Sequence, residues 1–97
     1  MKLEVPHDLD QDEALERVQR MIHEAKALYA SRIQAIQEQW VENEGRFLLK
    51  VMGMTSEGTI VVEQSVVRIE SKIPLAAMMV KGQIEQGIRR QLTRLLS

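Results

Sequence analysis

The sequence predicts a single α+β domain in which an antiparallel sheet carries its helices on one face, in the order β-α-β-β-β-β-α. Three observations predict this fold class. Apolar residues recur at helical spacing through residues 10–30. Short β-branched segments, separated by glycines and polar residues, fill residues 34–73. Pro74 then opens a second run with helical spacing. Strand and helix segments of this kind pack as two layers around one core.

The N-terminal segment predicts a short edge strand followed by a helix. Residues Lys2–Val5 alternate charged and apolar side chains, and Pro6 ends the alternation as expected at a sheet edge. Asp10 and Glu13 then have the spacing of a capping box, so the helix is predicted over residues 10–30. The apolar positions of its buried face are Ala14, Val18, Met21, Ile22, Ala25 and Tyr29.

Residues 33–42 are compatible with two structures. Continued helix is possible because Gln, Glu and Ala tolerate it. The segment also alternates towards Trp40, however, and a turn sequence, Asn-Glu-Gly, follows at 43–45. We favour a hairpin, with strands near 34–42 and 46–53.

Two further strands are predicted before Pro74. Gly53 and Gly58 are expected to bracket a turn, and strands follow at 59–63 and 66–73. In the last strand apolar and charged residues alternate. One face of the sheet is therefore expected to be buried and the other at least partly wet.

The last predicted element is a long helix that starts at Pro74, since proline suits the first turn of a helix. Gly82 and Gly87 are weak helix formers, and we interpret them as points where the helix closely approaches the sheet or another subunit. A long helix against a curved antiparallel sheet is a helix-grip-like arrangement, here with too few strands to enclose a large cavity alone. The apolar line of this helix consists of Ala77, Ile84, Ile88, Leu92 and Leu95 or Leu96, interrupted by Lys81.

Length, composition and charge bound the class of protein. The 97 residues form one domain, 1–97, and contain no cysteine, which excludes disulfides. A net charge of −1 and three aromatic residues argue against nucleic-acid binding. No transmembrane segment or signal peptide is expected, so the default expectation is a cytoplasmic protein.

The charge is unevenly distributed along the chain. Residues 1–16 carry one lysine against six acidic residues, whereas residues 68–97 carry six basic residues against two acidic ones. Acids favour helix starts and bases favour helix ends, which explains part of this asymmetry. A basic face for an acidic partner is the alternative.

The sequence offers no recognisable catalytic, cofactor or metal site. His7 and His23 are not at metal-ligand spacing, and we expect both to be structural. Asp8, Asp10 and Asp12 alternate like the start of a calcium loop but lack its glycine and distal glutamate. The serines lack a nucleophile-elbow context. We therefore expect a protein that is not an enzyme and binds no cofactor.

Methionines and the start of the last helix suggest a hydrophobic contact surface. The run 75–80 is apolar all round, so it is covered by the protein itself or by a second subunit, or it meets an apolar target. Methionine adapts readily to such contacts. The candidate surface consists of Met52, Met54, Leu75, Met78 and Met79.

Short segments along nearly the whole chain, each weak alone, carry a family resemblance by their succession. They are Val5-Pro6-His7 with Leu9, Glu13-Ala14 with Arg17, Trp40, Val51 to Met54 with Gly58, Val67 to Ala76, Lys81-Gly82, Ile84-Glu85 and Ile88-Arg89. With them the chain resembles the small polyhydroxyalkanoic acid system proteins of bacteria. The resemblance implies a cytoplasmic accessory protein associated with polyester storage granules, supplies no catalytic residues, and supports the hairpin at 34–53.

Three functions follow as hypotheses. The first is non-enzymatic association with polyester granules, or with their protein or lipid coat, through the Met-rich surface. The second is a module that binds an acyl or hydroxyacyl ligand between sheet and helix. The third is a homodimeric interaction protein that uses Gly82 and Gly87 as subunit contacts. The pocket expected for the second hypothesis is lined by Val67, Ile69, Ile84 and Ile88.

Overall fold

The computed structural model describes residues 1–28, 30, 31, 34–51 and 53–97, and it confirms the predicted α+β fold and order of elements. Within these residues the chain forms five strands, two α-helices and one 3₁₀ helix. In chain order the elements are β1 (Lys2–Pro6), α1 (Gln11–Leu28), β2 (Ala35–Val41), β3 (Glu44–Val51), β4 (Met54–Val62), β5 (Val66–Ser71), the 3₁₀ helix (Leu75–Val80) and α2 (Lys81–Leu95).

The five strands form one antiparallel sheet with the order β1-β5-β4-β3-β2. Strand β1 has β5 as its single neighbour and therefore lies at an edge of the sheet, as predicted. The register aligns Leu3 and Ile60 with Ile69, and Val5 and Val62 with Val67. Since side chains alternate across a strand, all six of these residues lie on the same face of the sheet.

Both helices pack on this apolar face and form a single core with it. Helix α1 contacts β4, and α2 contacts β1. In the two α-helices the deeply buried residues are Ala14 and Val18 of α1 and Leu92 of α2, and Leu96 directly after α2 is buried as well. Among the described side chains of the sheet, the buried apolar residues are Leu3, Val5, Ile60, Val62, Val67 and Ile69. The core therefore lies under the C-terminal end of α2.

The hairpin prediction is confirmed for β2 and β3, and continued helix is excluded over Ala35–Val41. The turn itself is not at 43–45. Val41 pairs with Glu44, so the turn consists of Glu42 and Asn43, with Glu42 at a positive φ of 54°. Ile33 and Tyr29, which the sequence assigned to the ambiguous segment and to the helix face, lie outside the described residues.

The predicted turn bracketed by Gly53 and Gly58 is wrong at its second end. Val51 pairs with Met54, so the connection ends at Gly53, whose φ of 78° suits glycine. Strand β4 then runs unbroken through Gly58, which pairs with Phe47 on β3. The strand predicted at 59–63 is therefore the second half of a longer one.

The predicted helix from Pro74 is also corrected, because its first part is a 3₁₀ helix. Pro74 has extended dihedrals, φ −57° and ψ 147°, and its carbonyl accepts from Ala77 N at 2.9 Å, an i to i+3 bond. An α-helix in a protein depends on packing an apolar face. In the segment that follows Pro74, Leu75, Met78, Met79 and Val80 are exposed, so little apolar surface is packed there, and the α-helix begins only at Lys81.

Gly82 and Gly87 are not points of close approach within the chain. A Cβ placed on either glycine would have no neighbouring atom within 4 Å. The expected contact with the sheet is therefore wrong for both. A contact with a second subunit remains a prediction.

Candidate functional sites

An exposed apolar segment precedes α2, and we call the 3₁₀ helix Leu75–Val80 the apolar corner. Leu75 is 90% exposed and Met79 is 97% exposed, while Met78 is 47% exposed. The two adjacent methionines thus point in different directions, as expected from their spacing. The first turn of this segment carries no acid and its last turn no base. The apolar corner therefore presents apolar side chains to solvent and contains no charged residue.

A partly enclosed cavity of about 410 Å³ lies between the sheet and the first half of α2. It lies where α2 is less deeply buried: Ile84 is exposed and Ile88 is half-buried, whereas Leu92 further along the helix is fully buried. Its volume falls within the roughly 300–1,000 Å³ typical of small-molecule sites. Its floor and walls include Met21, Phe47, Leu49, Met54, Ile60, Ile69, Ile73, Pro74, Ala77 and Leu92.

The structure divides the five residues of the predicted contact surface. Leu75, Met78 and Met79 lie in the apolar corner. Met54 is half-buried and lines the cavity, and Met52 lies outside the described residues. The corner and the cavity are neighbours, because Pro74 and Ala77 also line the cavity. The predicted surface therefore contains an exposed part and a recessed part.

Three of the four residues predicted to line a ligand pocket do line the cavity: Ile69, Ile84 and Ile88. Val67 does not line it. Val67 shares the apolar face with Ile69 but is fully buried in the core beneath the helices. Its position along the strand, not its side of the sheet, keeps it out of the cavity.

Two serines form a polar patch in the cavity lining that sequence reasoning missed. Ser56 Oγ lies 3.2 Å from Ser71 Oγ and donates to the Lys72 carbonyl at 3.0 Å. Ser71 Oγ donates to the Glu57 carbonyl at 3.2 Å. The sequence could have indicated the patch, because the alternation of side chains places both serines on the apolar face of the sheet. This is recognisable only when residues 54–62 are taken as one strand.

A charged cluster joins α1 to β2 beside the core. Lys26 Nζ forms an ion pair with Glu38 Oε1, and Trp40 Nε1 donates to Glu38 Oε2 at 3.1 Å. Burial raises the pKa of Glu38, but the hydrogen bonds from Lys26 and Trp40 and the charges of Lys26 and His23 lower it more. The pKa therefore lies below its ordinary value of 4.5. The cluster holds the helix on the strand.

His7 is bound on both ring nitrogens. Its Nδ1 accepts from Leu9 N at 3.2 Å, which leaves Nε2 to donate to the Glu63 carbonyl at 2.9 Å. The residue is only 6% exposed. This geometry ties the end of β1 to the β4–β5 connection and fits the structural role expected for His7. His23, the other histidine, is exposed on α1.

The opposite face of the sheet is polar and carries a wide depression of about 640 Å³. Its charged lining has both signs, including Lys2, Arg46, Glu57 and Glu70. Among the described residues, no group of three or more His, Cys, Asp or Glu side chains is arranged to hold a metal ion. In the same part of the chain, neither helix combines the length and the hydropathy needed to cross a membrane.

These features define a small helix-on-sheet protein with two neighbouring apolar features, one exposed and one recessed. The chain belongs to the polyhydroxyalkanoic acid system family. The family model described as "Putative polyhydroxyalkanoic acid system protein" matches residues 1–96. This match confirms the family resemblance recognised from short segments of the sequence. No individual curated protein matches the chain.

Proposed function

We propose that the protein is a cytoplasmic, non-enzymatic accessory protein of polyhydroxyalkanoate storage that adsorbs to the surface of polyester granules through the apolar corner. The observation that carries the proposal is the exposure of Leu75 and Met79, at 90% and 97%. Contiguous exposed apolar residues on a protein surface commonly mark a contact site. Membership of the polyhydroxyalkanoic acid system family supports a storage polyester as the apolar material.

Energetics favour adsorption through this corner. Full burial of a Leu or Met side chain stabilises a complex by roughly 1.5–3 kcal/mol. Leu75 and Met79 are already almost fully exposed, so they can be buried on a surface without unfolding the domain. Removing both side chains from the contact is therefore expected to weaken adsorption strongly, since each 1.4 kcal/mol is about tenfold in affinity.

Charge on α2 suits an anionic coat around the polymer. The helix carries Lys81, Arg89, Arg90 and Arg94 against Glu85. An apolar segment beside a basic helix is a combination that binds the interface of anionic lipids. Binding to coated granules is accordingly expected to exceed binding to bare polymer at low salt.

Co-sedimentation with polyester particles tests the proposal. Purified protein is mixed with bare particles, phospholipid-coated particles and polystyrene of equal area. We expect saturable binding to polyester and loss of at least tenfold in affinity for the double variant Leu75→Glu/Met79→Glu. The double variant Met78→Glu/Met79→Glu should weaken binding as well.

Val41→Glu is the matched control, because Val41 is 73% exposed but lies on β2, outside the apolar corner. It should adsorb like the unmodified protein. Equal loss in Val41→Glu and in the corner variants would show that adsorption is unspecific. Full adsorption by Leu75→Glu/Met79→Glu would remove the proposed surface.

The two other hypotheses differ in what supports them. The cavity beneath α2 favours a ligand-binding module. For a homodimer, the observation of interest is the open space around Gly82 and Gly87, which a second copy could occupy. Light scattering over a hundredfold range of concentration tests it, and a constant monomeric mass would exclude it.

A further inference from the structure

We propose that the cavity beneath α2 binds one neutral aliphatic molecule that carries a hydroxyl group, and that this hydroxyl donates to the Ser56–Ser71 pair. This site goes beyond granule adsorption, because it takes a single dissolved molecule rather than a surface. Three observations support it: the mostly apolar lining of the cavity, the hydrogen bonds of the two serines, and the absence of charged side chains among the described lining residues.

The lining selects an aliphatic chain. Most of the described lining residues are apolar, and they come from the sheet, α1, α2 and the apolar corner. Two of them, Met21 and Met54, are flexible side chains that fit irregular ligands. A volume of about 410 Å³ suits one small molecule rather than a polymer segment wrapped by the protein.

The serine pair selects a hydrogen-bond donor. Each hydroxyl has one proton and two acceptor lone pairs. Ser56 gives its proton to the Lys72 carbonyl and Ser71 gives its proton to the Glu57 carbonyl. With both protons directed at backbone carbonyls, the two oxygens retain acceptor capacity. A ligand hydroxyl can satisfy it, whereas a carboxylate, which only accepts, cannot.

The charges in the cavity lining also favour a neutral ligand. No described lining residue has a charged side chain, so a carboxylate buried beside the serine pair would have no charged side chain to pair with, which is costly. Met1 also lines the cavity; its terminal ammonium is the one charged group among the described lining residues, and it already donates to the Ser71 carbonyl at 2.7 Å. A neutral alcohol or a hydroxylated ester therefore fits the site better than a free fatty acid.

Nuclear magnetic resonance of methionine and isoleucine methyl groups tests the site, with 1-octanol and sodium octanoate as probes at pH 8. We expect saturable one-to-one shifts that include Met21, Met54 and Ile88, and an affinity for octanol at least tenfold above that for octanoate. A double variant, Ser56→Ala/Ser71→Ala, should lose roughly five- to tenfold in octanol affinity, the magnitude of one hydrogen bond.

Filling the cavity should abolish binding. Ile88→Trp places a larger ring in the space, and Ser56→Leu, on the opposite wall, serves if the first variant does not fold. Met79→Glu is the matched control and should bind octanol normally, because Met79 lies in solvent and does not line the cavity. Met79→Glu thus separates this site from granule adsorption.

Two results would overturn the proposal. Unsaturable shifts, or binding that survives both cavity-filling variants, would show that the cavity is not the site. Octanoate binding more tightly than octanol would assign the polar contact to the Met1 amino group instead of the serine pair.

Discussion

The ring of Phe47 on β3 lies directly over Gly58 on β4, its partner in the sheet register. A Cβ at Gly58 would be 2.5 Å from Phe47 Cζ and 2.7 Å from the Glu70 carbonyl oxygen. Trp40 and Gly45 form a second pair of this kind on the neighbouring strands, with the indole 2.7 Å from the position of a Cβ. Glycine is needed at both positions so that an aromatic ring can lie flat on the sheet.

Gly58→Ala is therefore expected to lower the free energy of unfolding by about 1–3 kcal/mol, the usual cost of overpacking. Gly87→Ala is the matched control, because its Cβ meets open space in a helix. There alanine should stabilise the protein by roughly 0.5–1 kcal/mol through helix propensity. Urea denaturation of the two variants should show opposite signs. A neutral Gly58→Ala would mean that the Phe47 ring moves aside freely.

The Lys26–Glu38 pair gives a pH dependence whose sign is fixed. Because folding lowers the pKa of Glu38, its carboxylate stabilises the folded state above the ordinary pKa of 4.5, and this stability is lost as the pH falls below that value. We expect Glu38→Gln to be less stable than the unmodified protein at pH 6. The difference should shrink as the pH approaches 3.

Urea midpoints measured across this pH range check the prediction. Glu16→Gln is the control, since Glu16 pairs with Arg20 on the exposed surface of α1 and its pair contributes little. A difference between Glu38→Gln and the unmodified protein that stays constant with pH would contradict the assigned pKa direction.

Arg17 joins the two helices at the buried end of the core. Its Nη1 donates to the Leu95 carbonyl at 3.0 Å, and its Nε pairs with Glu13 at 2.9 Å. We expect Arg17→Ala to lower the free energy of unfolding by about 1.5–3 kcal/mol, as for hydrogen bonds made by charged groups. Arg20→Ala breaks only an exposed pair within α1 and should change it by about 0.5 kcal/mol or less. Equal effects in chemical denaturation would refute this role of Arg17.

His7→Ala is expected to cost about 1–3 kcal/mol, because it leaves the Glu63 carbonyl and the Leu9 N–H without their partner. His23→Ala, at an exposed position, should be close to neutral. Adsorption to polyester particles should be the same for both variants once they are compared below their unfolding temperatures. Loss of adsorption by a folded His7→Ala would assign this residue a functional role beyond its structural one.

Periodicity predicted the strands and the first helix well, because alternation and helical spacing report directly on which face is buried. The errors in the turn predictions came from glycines that were interpreted as turn residues. Gly45 and Gly58 were interpreted as turn residues, whereas each lies within a strand beneath an aromatic ring. That distinction depends on the cross-strand register, which the local sequence does not contain. The 3₁₀ helix was missed for a similar reason, since its form depends on how little of Leu75, Met78 and Met79 packs against the rest of the chain.

The candidate sites were predictable to different degrees. The apolar run that contains Leu75 and Met79 was visible in the sequence, and its exposure follows from its place at a corner. The serine pair was not visible, because Ser56 and Ser71 meet only when β4 and β5 are paired. The prediction that Val67 lines the pocket was wrong. The alternation of a strand indicates which face a side chain is on, but not how far along that face the helix covers it.

The two edges of the sheet differ in how they can accept another strand. On β1, Arg89 of α2 donates to the Glu4 carbonyl at 3.0 Å, and Pro6 has no N–H to offer. In the described part of the chain, no side chain donates to a carbonyl of β2. Strand addition is thus hindered along β1, whereas no described side chain occupies the carbonyls of β2. If β2 of one copy pairs with β2 of another, the result is a dimer with no free β2 edge. A filament would need both edges of every copy, so the hindered β1 edge disfavours open-ended aggregation.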